Sequence, residues 1–160
     1  MHTATTLREI ADPFAARYGR AMPRGLRADA AGLTWSEFVE TYGPSGPARL
    51  GCWSSTPLGA GRHRFEAELT FGDRARHFAT VATGPIAALS AMLHDAGHAL
   101  EILSFHQIDT GEGIATFVHC ERDARRTWAM AIAADGPDSA LRAAIAAVNI
   151  FGRGVCATSQ

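Results

Sequence analysis

One near-repetition constrains this chain more than any other feature. The stretch GPIAALSAMLHDAG, opening at Gly84, returns as GPDSALRAAIAAVN, opening at Gly136, and the two share Gly84/Gly136, Pro85/Pro137, Ala88/Ala140, Leu89/Leu141 and Ala91/Ala143. They also stay apolar at Met92/Ala144, Leu93/Ile145 and Ala96/Val148. Two copies of one supersecondary unit are the simplest source of such a pattern. Each copy reads as a helix. Pro at the first helical position gives up an N–H that has no intrahelical partner, and Gly97 and Asn149 stand where a left-handed residue closes a helix.

Runs with a period of two precede both helices. In RHRFEAELTF, Phe65, Ala67, Leu69 and Phe71 share one face while Arg64, Glu66, Glu68 and Thr70 take the other, the pattern of a half-buried strand. Gly72 and Asp73 then turn the chain into RARHFATVA, its hairpin partner. ARLGCWSST supplies a first strand before Gly59–Gly61. The second copy repeats the plan with ALEILSFHQI, GIATFVHCE and TWAMAIAA, where Trp128, Met130 and Ile132 share a face and Asp109 to Gly113 forms a turn. The expected fold is therefore α+β: two pseudo-symmetric βββα units, with the Ala/Leu-rich helices packed on three-stranded sheets.

Residues 1–47 differ in texture. LREIADPFAARYG and LTWSEFVETYG read as short amphipathic helices separated by AMPRGLRADAAG, and their apolar sides (Leu7, Ile10, Phe14; Leu33, Trp35, Phe38, Val39) need cover from the main domain or from a second chain. GPSGP, Gly43 to Pro47, reads as a hinge. The boundaries that follow are a helical linker-like segment 1–47, a ligand-binding and dimerisation domain 48–153 and a tail 154–160.

At 160 residues and 47% hydrophobic composition the chain can bury a core, and its formal charge of −1 gives no reason to expect nucleic acid or an anionic membrane as partner. No run approaches the ~18 apolar residues of a membrane span. The N-terminus lacks an apolar signal core, so the expected location is the cytoplasm. Cys52, Cys120 and Cys156, odd in number and without CxxC spacing, read as small hydrophobes rather than a disulfide framework or zinc site.

Several clusters could carry chemistry. His94 and His98 have the i, i+4 spacing of a metal-binding pair, but Gly97 interrupts the helix between them and no HExxH glutamate is present, so no metal or cofactor is expected. His119 and Glu121 fall on one sheet face, and a hairpin can bring His106 or Gln107 beside them. A histidine next to a carboxylate can serve as acid or base near neutral pH; the alternative is a polar, partly solvated sheet face. Arg122, Arg125 and Arg126 read as a solvated turn, and Trp35, Trp53 and Trp128 as buried apolar area.

TGPIAAL and WAMAIAADGPDSALRAAIAAVN together resemble the C-terminal regulatory part of 2-isopropylmalate synthase, being similar to that family's GNGPxxA segment and its closing WGxGI…ASLxAxxSAVN stretch. Upstream, YGRAMPRGLR is similar to HGxxLPRxLQ and FVETYG to FxxxYL, both from the family's linker. The resemblance implies a homodimer that binds the feedback inhibitor leucine between the two halves. Carried over by position, the pocket comprises Thr83, Gly84, Pro85, Ile86 and Ala87 at the first helix start, Ile102 and Phe105 on the next strand, and Ile114 and Thr116 on the strand after. A helix N-terminus suits a carboxylate and the isoleucines an aliphatic side chain. Thr83 replaces the family's Asn, Phe105 an aromatic hydroxyl, and Tyr18 the linker histidine, while Tyr42 matches in type. Nothing here corresponds to the family's catalytic barrel, so Claisen condensation by this polypeptide alone is not expected.

The reading is a dimeric small-molecule-binding module for a leucine-like amino acid or related carboxylate, able to act in trans on a barrel-containing synthase. Its rival is a small enzyme, of isomerase, cyclase or hydrolase type, that uses His106, His119 and Glu121. A third possibility is a purely structural partner that holds another protein as a dimer.

Overall fold

The computed structural model describes residues 12–158. Leu7 and Ile10 lie outside them, as does the side chain of Cys156. Three short helices come first: α1 (Pro13–Tyr18), α2 (Arg24–Asp29) and α3 (Trp35–Tyr42). Asp12 starts α1, its carboxylate accepting from the N–H groups of Phe14 and Ala15 at 2.9 Å each and from Met22 N–H at 3.0 Å. α3 opens with a capping box in which Thr34 and Glu37 satisfy each other's backbone N–H groups. AMPRGLRADAAG is not the simple separator expected, because it contains α2. Leu26 and Ala30 are buried there, and Gly25, an unfavourable helical residue, sits where any Cβ would lie 3.2 Å from the Trp128 ring.

The two βββα units follow as expected. β1 (Ala48–Gly59), β2 (Arg62–Phe71) and β3 (Arg74–Ala82) form one antiparallel sheet followed by α4 (Pro85–Asp95). β4 (Glu101–Asp109), β5 (Ile114–Arg122) and β6 (Arg125–Ala133) form the other, followed by α5 (Gly136–Thr158). Alternation along β2 buries Phe65, Ala67 and Leu69. At the end of α4, Gly97 takes φ +85°. Its N–H donates to His94 and that of His98 to Leu93, the paired closure that glycine permits.

The packing breaks the pseudo-symmetry. α5 is covered on two sides: Leu141, Ala144, Ile145 and Val148 join Phe65, Leu69 and the α4 residues Leu89 and Met92 in one cluster. Ala143, Ala146, Ala147 and Phe151 join Val118, Cys120, Ala129 and Ala131 in another. The opposite face of the second sheet, Ala115, Phe117, Trp128 and Met130, packs on Phe14, Met22, Leu26 and Phe38. The N-terminal helices therefore cover their own chain. Burying a side chain the size of Phe14 or Phe38 contributes about 1.5–3 kcal/mol, so several together hold this segment down.

Two local expectations are corrected. Asn149 does not end its helix: α5 continues to Thr158, and the buried Asn149 amide faces the connection before β1. Ala48 N–H donates to Asn149 Oδ1 at 2.8 Å, while Nδ2 donates to the carbonyls of Pro44 and Ala48 at 3.0 Å each. Arg153 adds bonds to the carbonyls of Glu40 and Thr41. GPSGP is thus a clamped strap rather than a hinge.

Candidate functional site

The two Gly-Pro helix starts share a sequence pattern but differ in chemistry. At α5, Asp135 caps the helix, its Oδ1 accepting from Asp138 N–H at 2.9 Å. At α4, the N-cap is Gly84, in extended backbone (φ −159°, ψ 166°), and no side chain caps the first turn. Space around Gly84 is open, with no heavy atom within 4 Å of a Cβ built there. Thr83 and Ala87 are exposed, whereas Gly84, Pro85 and Ile86 are half-buried. Among the described residues the first-turn N–H groups at the positive end of the helix dipole thus have no side-chain partner, an arrangement suited to an anion.

The remaining expected ligand residues lie on the second sheet. Ile102 and Ile114 are half-buried, and Phe105 on the edge strand β4 is 42% exposed beside Leu103 at 38%. Thr116 is wholly buried at the start of α5. Gln107 Nε2 donates to Thr116 Oγ1 and to the Gly136 carbonyl at 2.9 Å each. Thr116 Oγ1 lies 2.6 Å from Ser139 Oγ, which is 3.1 Å from the Ala131 carbonyl. Sequence reasoning missed this Gln107–Thr116–Ser139 network, because only the fold brings the three together. Among the described residues, no side-chain hydrogen bond joins Thr83–Ala87 to the group on the second sheet.

His106, His119 and Glu121 share the sheet face opposite α5. The His119 ring stacks on Trp128 at 4.6 Å and 11°, and His106 lies 6.1 Å from the same indole. Glu121 is engaged by Arg126, its cross-strand partner, at 2.8 Å. The face is thus an aromatic stack beside an ion pair. Arg125 is exposed, as expected of a solvated turn residue, with its guanidinium 5.8 Å from the Phe151 ring. His94 and His98 are divided at Gly97: His94 stays in solvent near Asp95, and His98 stacks on Phe71 at 4.4 Å.

Burial acts on two titratable groups nearby. The Cys120 thiol is pushed up to about 12 by desolvation. His98 is held below its ordinary value by burial first and by the Arg122 charge second.

No family model matches the chain. It is similar to the 2-isopropylmalate synthase of Pseudarthrobacter chlorophenolicus, 32% identical over 127 residues covering 72% of this chain and 22% of the relative. It is also similar to that of Clavibacter michiganensis subsp. michiganensis, 30% identical over 129 residues with the same coverage. The chain thus spans about a fifth of the length of these curated relatives, and the resemblance carried by TGPIAAL and WAMAI…AVN extends over most of this sequence. Among the described residues no helix is long and apolar enough to cross a membrane.

Proposed function

We propose that the chain is a dimeric regulatory module that binds a leucine-like amino acid or related small carboxylate at the start of α4. The observation that carries this reading is the contrast between the two duplicated helix starts: the Asp135 side chain occupies a first-turn donor at α5, and the Gly84 start at α4 has no side-chain cap. A carboxylate there accepts from the free N–H groups while Ile86 lies beneath an aliphatic side chain. The similarity to 2-isopropylmalate synthases supports the same reading.

Dimerisation fits the exposed edge. Leu103 and Phe105 present apolar surface on β4, and a second copy seated there can bring its own Ile102, Phe105 and Ile114 toward the first copy's Thr83–Ala87, with Thr116 buried behind them. Binding that favours one arrangement of the pair is the physical basis of regulation, including regulation of a barrel-containing synthase in trans.

The enzymatic reading, with His106, His119 and Glu121 as acid and base, has less support because Arg126 holds Glu121 and Trp128 stacks on His119. The test is a thermal-shift screen against leucine, isoleucine, valine and their 2-keto acids, with mass measured in solution. A ligand selective for the native state stabilises by about 2.7 kcal/mol at a hundred times its dissociation constant. A dimer with a leucine-type shift supports the proposal; a monomer silent across the panel refutes it.

A further inference from the structure

Away from the Gly-Pro starts lies a cavity of about 500 Å³, within the range of small-molecule sites. Phe71 at the end of β2 and Val148 and Gly152 on α5 line it, together with His98, Arg122 and Arg153. Val148 and Gly152 stand about three and four turns along α5 from Gly136, and His98 follows the opposite end of α4 from Gly84. This is a different place from the site proposed above.

Its charge is one-sided. Among the described residues the charged side chains that line it are Arg122 and Arg153, both positive. Among the described residues Arg122's one ion-pair partner is the turn carboxylate of Asp123, 3.9 Å away and itself 84% exposed, while Glu101 and Glu121 line the adjoining cavity on its other side. Arg153 donates to the carbonyl oxygens of Glu40 and Thr41, neutral acceptors that leave its charge uncompensated. Arg122, its side chain 22% exposed beside the apolar wall, is partly stripped of water, and a carboxylate is the partner that restores the lost interaction most strongly.

We propose that this cavity is a second ligand site, for a small organic acid whose apolar body fills the space between Phe71, Val148 and Gly152 and whose carboxylate meets Arg122 and Arg153. Asn149 and Ala48 also line the cavity, so its occupant touches the joint that fastens the N-terminal helices. A ligand there tightens the strap it contacts. The assignment does not depend on the α4 site.

The test uses the full chain labelled with ¹⁵N and titrated with octanoate, with neutral octanamide as the matched control. Saturable shifts at the Gly152 and Ala48 amides and at the His98 ring are expected, with octanamide about tenfold weaker, the range of one charge-assisted hydrogen bond. Arg122→Gln weakens octanoate by a similar factor and leaves octanamide unchanged. Gly152→Leu fills the cavity from a helical position with nothing within 4 Å of the added Cβ and abolishes binding of both. The proposal is overturned by unsaturated or absent shifts at these residues, by shifts confined to Ile86 and Ala87, or by equal octanoate affinity in wild type and Arg122→Gln.

Discussion

Asn149 and Ala48, 101 positions apart, are joined by two hydrogen bonds: Ala48 N–H to Oδ1 at 2.8 Å and Nδ2 to the Ala48 carbonyl at 3.0 Å. A third, to the Pro44 carbonyl, uses the remaining amide hydrogen, so one buried side chain holds the start of β1 against α5. Because an orphaned buried donor or acceptor costs about 1–3 kcal/mol, Asn149→Ala is expected to lose about 2–4 kcal/mol in urea unfolding. Asn149→Asp is expected to lose more, since its oxygens oppose two carbonyls. An Asn149→Ala variant as stable as wild type would show that the clamp carries no net energy.

Gly46 shares that clamp. Its φ is +151°, and a Cβ there would collide with Cγ and Oδ1 of Asn149. Gly46→Ala is therefore expected to cost about 1–3 kcal/mol from overpacking. The penalty should shrink in the Asn149→Ala background, where the obstructing amide is gone. A double-mutant cycle reads the coupling directly; strict additivity would show that the amide group carries none of the cost, leaving it to the backbone and to the Asn149 Cβ that Ala retains.

The duplicated βββα plan was legible because both of its periods are local. β2 alternates strictly, and Pro85 and Gly97 punctuate α4 in sequence as they do in space. The placement of the N-terminal helices was not legible, since it depends on the second sheet having two buried faces. The signal was present in GIATFVHC and TWAMAIAA, whose apolar residues run nearly without alternation, as in strands covered on both sides. Asn149 misled because a helix-ending residue and a buried amide clamp look alike until Pro44 and Ala48 are in place. For the candidate site, the resemblance pointed to the first of two Gly-Pro helix starts without a physical reason for preferring it. Only the structure shows Asp135 capping one and nothing capping the other.

Thiol chemistry should separate Cys52 from Cys120. Cys52 is exposed and Cys120 fully buried, with the latter thiol raised to about 12. Alkylation by iodoacetamide at pH 8 is expected at Cys52 in the native protein and at Cys120 only after unfolding. The raised value also means that Cys120 favours the fold at pH below its ordinary 9.0 and that this contribution is lost as pH climbs from there toward 12. Native-state labelling of Cys120 at the Cys52 rate would contradict its burial.

His98 has the opposite sign. Burial and Arg122 lower its value below 6.5, so at pH below 6.5 the unfolded chain takes up the proton before the folded one does. Its contribution is complete above pH 6.5 and declines as the solution is acidified toward the folded value. His98→Phe keeps an aromatic ring against Phe71 and should flatten the acid side of the stability profile. An unchanged pH slope in this variant would rule out His98 as its source.

The most direct test of the regulatory reading is a leucine titration followed at the backbone amides of Ile86 and Ala87. The account predicts saturable shifts at these two N–H groups, accompanied by changes at Phe105, and their loss when Gly84→Asp supplies a carboxylate cap of the kind Asp135 gives to α5. Leucine that leaves Ile86 and Ala87 unmoved, or that binds Gly84→Asp as well as wild type, would contradict it.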